Sequence, residues 1–384
     1  MPDEPIPLAR PELGDREEEL VVEVLRSGRL SLGPKLEEFE HGFARWLAAD
    51  GAVATSSGTA ALHLGVRALG WGEGDRVVTS PLSFVASANC LLYEDATPIF
   101  CDVDPITLDL DPKAAAAAVG ERTVGILPVH IFGYPADLEA LEKLAADRGL
   151  GVLEDACQAL GAVDARGRKV GAGGNPAAFA FYANKQLTTG EGGMLVTPDE
   201  EMAERVRSER NQGRAADMEV LEHDRIGFNY RLTDIQAAIG IGQLERLDGI
   251  LRGRERLSLS YRVRLTELGA LPPGEGSDDG LLLPCEDRGA ERRSWFVFCV
   301  QLPDGTNRDA VIEELNRRGV ASKAYLPCIH LLPPYRERFG FSQGQFPVAE
   351  RAAERSLALP FFSAMTEDEV DTVCTVLGHA LGLA

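Results

Sequence analysis

Three groups of residues in this chain have the types and spacing to do chemistry together. The first centres on Lys185, in Phe179-Ala-Phe-Tyr-Ala-Asn-Lys185-Gln-Leu-Thr-Thr-Gly-Glu-Gly-Gly193, where an apolar, strand-like run hands one lysine to a polar, glycine-rich loop. Held in a cleft, its amine would be partly desolvated, which lowers a lysine pKa and turns the amine into a nucleophile for an aldehyde. A lone lysine at a strand end is more commonly a solvated charge, so the reading depends on its neighbours. The second group is Ser56-Ser-Gly-Thr-Ala-Ala-Leu62, which follows a short apolar run and opens a helical pattern. Free amides near Gly58, Thr59 and Ala60, with the Thr59 hydroxyl, would converge at a helix N-terminus, where phosphates bind; the same residue types also make a plain helix cap. The third is Asp155, in Glu154-Asp-Ala-Cys-Gln158, directly after the apolar run 151–153. Open α/β sheets keep their ligands at the carboxyl ends of their strands, although an acid there is often only solvated.

An amine for an aldehyde, a cradle for a phosphate and a carboxylate that keeps a pyridine nitrogen protonated are the three anchors that pyridoxal phosphate requires. The elements around them suit that use. From Gly51 onward, short apolar runs at 52–54, 76–79, 98–101, 124–127 and 151–154 alternate with amphipathic stretches at 60–69, 85–93 and 138–147. This rhythm predicts an α/β domain with a mostly parallel sheet flanked by helices. Asp15 opens an N-terminal helix that stops at Gly28, and a long helical stretch runs from Thr233 to about Leu268. Leu271-Pro-Pro-Gly-Glu-Gly reads as a linker. A strand near 295–300 and helices at 308–318 and 347–357 then make a small C-terminal α+β domain. We place the large domain at residues 1–250 and the small one at 251–384.

Composition narrows the function. The 384 residues are 45% hydrophobic and 26% charged, as in an ordinary globular protein. A formal charge of -21 argues against a nucleic-acid binder, whose surface must be basic. Seven scattered cysteines read as reduced thiols, no stretch is apolar enough to span a bilayer, and the N-terminus lacks the pattern of a signal peptide, so a cytoplasmic location is expected. The six histidines show no metal-ligand spacing, and no metal is expected. His63 reads as a helix-face residue and His130 as part of a cleft wall, while Gly70-Trp-Gly-Glu-Gly-Asp75 precedes a strand and reads as a turn.

Over nearly its whole length the chain resembles the DegT-type (DegT/StrS) family of sugar aminotransferases. The matching segments are Ser57-Gly-Thr-Ala-Ala61, Thr79-Ser-Pro-Leu-Ser-Phe-Val-Ala86, Glu154-Asp-Ala, Lys185 with Thr188-Thr-Gly-Glu-Gly-Gly193, and Gly227-Phe-Asn-Tyr-Arg-Leu-Thr-Asp-Ile-Gln-Ala-Ala-Ile-Gly240. The resemblance implies the aspartate aminotransferase (type I) fold and pyridoxal 5'-phosphate as cofactor, bound as a Schiff base to Lys185. It implies that Asp155 pairs with the pyridine nitrogen, that Gly58, Thr59 and Ala60 hold the phosphate, that Phe84 stacks on the ring and that Gln158 bonds near its phenolic oxygen. Asn229 would reach the phosphate of a neighbouring subunit, making a homodimer with shared active sites. Many relatives carry serine where this chain has Ala180, which removes one phosphate contact.

The expected reaction moves an amino group from L-glutamate to a nucleotide-linked keto sugar, with a leaning to a 4-keto-6-deoxy sugar, in polysaccharide or glycoconjugate synthesis. His330, Arg231 and Lys323 are candidate substrate contacts, with Arg336 a further candidate for an anionic group. An aminotransferase for a cyclitol or other non-nucleotide ketone is the alternative, and a non-catalytic cofactor-binding regulator is the alternative of another class. Neither a helix-turn-helix pattern nor a basic face supports the regulator.

Overall fold

The computed structural model describes residues 4–215, 222–275 and 279–383. Its helices and strands follow in the order α1 (Asp15–Ser27), α2 (Pro34–Leu47), β1 (Gly51–Thr55), α3 (Gly58–Ala68), β2 (Arg76–Thr79), α4 (Ala86–Leu92), β3 (Thr97–Phe100), α5 (Pro112–Ala118), β4 (Thr123–Leu127) and α6 (Leu138–Arg148). Strands β5 (Gly151–Val152), β6 (Glu154–Asp155), β7 (Ala177–Ala180) and β8 (Gly193–Thr197) come next, then α7 (Glu200–Arg210), α8 (Asp234–Glu245) and α9 (Leu247–Glu267). The C-terminal part holds β9 (Phe298–Gln301), α10 (Arg308–Arg317), β10 (Lys323–Ala324), α11 (Pro333–Phe339), α12 (Pro347–Arg355), β11 (Ser356–Leu359) and α13 (Glu367–Leu381).

The large sheet is built from two parts. Strands β3, β2, β4 and β5 pair in parallel in that order, and β6, β7, β8 and β1 form the other part. Leu153 N donates to Ile126 O, Asp155 N donates to Pro128 O, and Val129 bridges Asp155, so β5 and β6 carry one strand direction across the join. Only β8 runs antiparallel to its neighbours, pairing Gly193 with Ala180 on one side and with Thr55 on the other. The expectation of a mostly parallel sheet flanked by helices therefore holds, with β8 as the antiparallel member. The sequence analysis assigned no strand to residues 193–197, where Gly192 and Gly193 mask the start of β8. Strands buried on both faces read as unbroken apolar runs whatever their direction; β1 and β8 are buried at every position.

Of the five apolar clusters among the described residues, two are joined by one helix. One gathers Phe39, Phe43, Phe179, Phe181 and Leu247 between α2, α8 and the sheet. The other gathers Tyr261, Phe298, Leu315, Phe362 and Leu377 around the three-stranded sheet β10-β11-β9. Helix α9 enters both, with Leu247 in the first and Leu257, Tyr261 and Leu265 in the second, so a division at residue 250 falls inside a helix that ties the two together. Ile6 also packs in the second core and pairs with Val320, which brings the N-terminal segment to the C-terminal part. The single long helix expected from Thr233 breaks at Arg246 (φ -120°, ψ 9°), whose guanidinium reaches back to Glu12 and Glu17. Gly276, the last residue of the expected linker, lies outside the described residues.

Candidate active site

The strand ends converge on one cavity of about 710 Å³, lined among others by Ser57, Gly58, Thr59, Phe84, Asp155, Gln158, Ala180, Lys185, Phe296 and Lys323. Its position at the carboxyl ends of parallel strands is where open α/β sheets take ligands, and its size suits a small molecule.

The floor is laid by β6 and β7. Asp155 is 4% exposed. Its Oδ2 accepts a 2.6 Å hydrogen bond from Ser87 Oγ, and its Oδ1 accepts from Cys157 N at 3.1 Å. Ser87 Oγ lies 2.7 Å from Ser83 Oγ, so two buried hydroxyls from the loop after β2 and the first turn of α4 fix the carboxylate. A buried carboxylate held by donors on one side is fit to receive a further donor from the cavity. Gln158 is also buried. Its Oε1 accepts from Phe132 N at 3.1 Å, which fixes the amide and leaves Nε2 as the group it can offer the cavity.

The cradle sits at the head of α3. Ser57 is the N-cap, and its Oγ accepts from Ala60 N at 3.1 Å. The Ala60 amide is thus already satisfied and does not face the cavity, whereas Gly58 and Thr59 line it. The expected phosphate site narrows to the Gly58 and Thr59 amides and the Thr59 side chain. Close packing explains Gly58: a Cβ there would stand 2.6 Å from Ala180 Cβ and 2.9 Å from Cys157 Sγ. Gly193 is equally confined, because its Cβ would meet Ser57 O at 2.4 Å.

Lys185 follows the end of β7 by five residues, and burial pushes its amine down to about 8 against the attraction of Cys157 and Asp155. Its Nζ lies 3.9 Å from the centre of the Phe296 ring. The amine is therefore desolvated, the condition expected of a reactive lysine, and it has no hydrogen bond or ion pair among the described residues. Phe84 is 59% exposed at the cavity wall, which leaves a face for a stacked ring.

The other candidates divide. Lys323 lines the cavity from β10. His330 does not: it is fully buried, its Nε2 lies 3.1 Å from Glu350 Oε1, and it packs edge-on against Phe346. His330, expected as a substrate contact, lies outside this chain's cavity lining: the same loop presents Tyr325, Leu326, Pro327 and Leu332 to the cavity while turning His330 into the protein. Arg231 also lies outside the cavity lining, with its guanidinium on Asn211 Oδ1 and Gln212 Oε1, and Arg336 is exposed on α11 away from the lining. Asn229 is exposed and does not line this chain's own cavity. His130, expected at a cleft wall, is fully buried between Glu154 Oε2 and Ala136 N. Among the described residues no group of three or more His, Cys, Asp or Glu is arranged for a metal ion, and no helix is long and apolar enough to cross a membrane.

A family model described as the DegT/DnrJ/EryC1/StrS aminotransferase family matches residues 11–378. The chain belongs to that family. The DegT/DnrJ/EryC1/StrS chain described here is 37% identical to GDP-perosamine synthase of Caulobacter vibrioides, over 98% of this chain and 98% of that protein. It is 37% identical to the spore coat polysaccharide biosynthesis protein SpsC of Bacillus subtilis, over 96% and 95%. Among solved structures, DesV of S. venezuelae in complex with a ketimine intermediate superposes with a TM-score of 0.87 at 35% identity, covering 94% of this chain and 93% of that one. This family aminotransferase has the type I fold of the pyridoxal-phosphate enzymes, and the regulator alternative is set aside with that finding.

The sequence reading missed Ser83, Ser87, Phe296 and Arg254. Ser83 and Ser87 stand four residues apart beside the quoted Phe84, and that helical spacing is a signal for a shared face. Phe296 carries no local signal, because its approach to Lys185 is made by a segment over a hundred residues away.

Proposed function

We propose that this enzyme moves an amino group from L-glutamate to a nucleotide-linked keto sugar, with pyridoxal 5'-phosphate in the cavity described. The observation that carries the reading is the meeting of a desolvated, unpaired Lys185 amine with the buried Asp155 carboxylate and the Gly58–Thr59 helix head in one cavity. Those residues fit the group: two free amides and a hydroxyl at a helix N-terminus for its phosphate, a fixed carboxylate for its ring nitrogen, and an exposed Phe84 face for its ring. When bound, the cofactor supplies an aldehyde that exchanges amines and a ring that takes up an electron pair.

The chain's own residues do the rest. With its amine at about 8, Lys185 keeps a neutral fraction near neutral pH and can accept a proton from a substrate carbon at Nζ and return it. Asp155, its two oxygens held by Ser87 Oγ and Cys157 N, is fixed in place to accept a hydrogen bond from a facing ring nitrogen. Lys323 is the candidate for an anionic group of donor or nucleotide. Asn229, turned outward, is available to a partner's cavity, which supports a homodimer with shared sites.

The relatives' names speak for a sugar acceptor, and the 4-keto-6-deoxy class is our choice within it; no observation on the cavity favours a cyclitol. Two measurements test the proposal. Borohydride reduction of the protein loaded with pyridoxal phosphate is expected to fix the cofactor on the Lys185 peptide, and an adduct on another lysine would refute the assignment. The amine-loaded protein is then offered a panel of nucleotide-linked keto sugars and free cyclic ketones. Turnover confined to the free ketones would overturn the substrate class.

A further inference from the structure

We infer that the ring of Phe296 is the seat on which the free Lys185 amine rests as it takes up its proton, and that Arg254 holds that seat in place. The inference rests on Lys185 being the reactive lysine. Phe296 is 2% exposed, lines the cavity and puts its ring centre 3.9 Å from Lys185 Nζ. An aromatic face carries negative charge density and attracts an ammonium, most strongly where water is excluded. Other groups face the same cavity: Asp155 and Cys157 from the strand-end turn, Tyr182 and Glu191 from the lysine loop, and Lys323 and Tyr325 from the C-terminal part. None of them is hydrogen-bonded to Nζ among the described residues.

The position of the ring is fixed from behind. Arg254, on the helix that enters both cores, is 4% exposed. Its Nη1 donates to the carbonyls of Trp295 and Phe296 at 3.3 and 3.2 Å, and its Nη2 donates to the carbonyl of Lys185 at 3.5 Å. One guanidinium thus fastens the lysine loop of the large domain to the segment of the small domain that carries the ring. Among the described residues it has no carboxylate within ion-pairing distance; its two Nη groups serve those three carbonyls, its Nε finds no hydrogen-bond partner, and its guanidinium lies 5.6 Å from the centre of the Phe361 ring. A buried cation spent on backbone carbonyls is costly unless the geometry it fixes is needed. Burial drives the Lys185 amine toward its neutral form, and the ring opposes that by favouring the ammonium. Phe296 is accordingly a positioning residue for the proton that Lys185 carries.

Competitive labelling of the cofactor-free, full-length protein with acetic anhydride, read at the Lys185 peptide by mass spectrometry across pH, tests this. In Phe296→Leu the labelling midpoint is expected to fall by roughly 0.4 to 1.5 pH units, the size of a cation–π contact. Phe296→Tyr should keep the parent midpoint. A merely structural role would admit water to a loosened cavity and move the midpoint upward. If Phe296→Leu does not fold, 3,4,5-trifluorophenylalanine at position 296 weakens the ring face at nearly constant volume and should lower the midpoint too. A midpoint that is unchanged or raised in these variants overturns the inference.

For Arg254, the Phe296→Leu shift is measured again in an Arg254→Met background, or in Arg254→Lys if the first is not folded. It should shrink to less than about half, because a released ring no longer seats the amine. A full shift in that background overturns the part assigned to Arg254. The labelling midpoint is independent of where borohydride fixes the cofactor. An adduct away from Lys185 would therefore refute the function proposed above, while the pH profile alone decides this one.

Discussion

Adding one methyl group at Gly58 tests whether the head of α3 is the phosphate site. Gly58 is the first residue of that helix, and a Cβ built on it lies 2.6 Å from Ala180 Cβ, 2.9 Å from Cys157 Sγ and 3.3 Å from Ala180 Cα. Carbon atoms at rest stand about 3.5–4.0 Å apart, so β7 and the helix head must separate by about 1 Å. Such overpacking costs about 1–3 kcal/mol. The strand is buried and paired on both sides, so the helix head is the part that yields, and with it the Gly58 and Thr59 amides. If the cost falls on the cradle, affinity for pyridoxal phosphate drops by about 5- to 150-fold. The assay is equilibrium titration of the cofactor followed by visible absorbance, with thermal melting of the cofactor-free protein alongside. Ala180→Gly removes the atom nearest the new methyl, so the double variant Gly58→Ala/Ala180→Gly should regain most of the lost affinity. Gly58→Ala protein that binds the cofactor within about twofold of the parent would refute the placement of the phosphate at this helix.

Three further outcomes follow from the site. The Lys185 amine is lowered from 10.5 to about 8, so below pH 8 the folded protein holds a desolvated cation that the unfolded chain does not; Lys185→Met should stabilise the cofactor-free protein at pH 7 by up to about 3 kcal/mol, and the gain should fade as pH rises to 10.5. Urea unfolding at the two pH values checks this, and an equal gain at both would contradict it. Asp155→Asn replaces a charge-assisted contact worth about 1.5–3 kcal/mol, so kcat should fall by roughly 10- to 150-fold with the fold and cofactor retained; near-normal turnover would remove the ring-nitrogen role. When Asn229→Ala is mixed with Lys185→Ala, each nearly inactive alone, every hybrid dimer formed by subunit exchange should have roughly half of a wild-type dimer's activity, because one of its two shared sites carries neither lesion, and an equimolar mixture should recover about a quarter. No recovery despite demonstrated exchange would place Asn229 outside the partner's site.

The α/β class, the strand-end aspartate, the lysine and the glycine-threonine helix head were legible in the chain because each is written locally. A strand buried on both faces is an unbroken apolar run, a helix head needs a capping residue, and a lysine between an apolar strand and a glycine-rich loop reads as reactive once the aspartate and the helix head stand beside it. Ser57 illustrates the limit of that legibility: the sequence places it at the head of α3, but only the structure shows its hydroxyl taking the Ala60 amide and leaving Gly58 and Thr59 to the cavity.

What the tertiary structure decided are the relations between distant segments. The fate of His330 depended on whether its loop turned the ring toward the cavity or toward Glu350, and packing against Phe346 turned it inward. The hydroxyls of Ser83 and Ser87 mattered only once α4 brought them to Asp155. Lys185 owes its lowered pKa to burial in the folded protein, which the facing Phe296 ring opposes, rather than to its neighbours in sequence. Residue types and spacing thus determined which groups do chemistry here, since those are fixed by covalent structure and local propensity. Their pairing, exposure and electrostatics came from the two cores that α9 joins, because desolvation and hydrogen-bond partners exist only where separate parts of the chain meet.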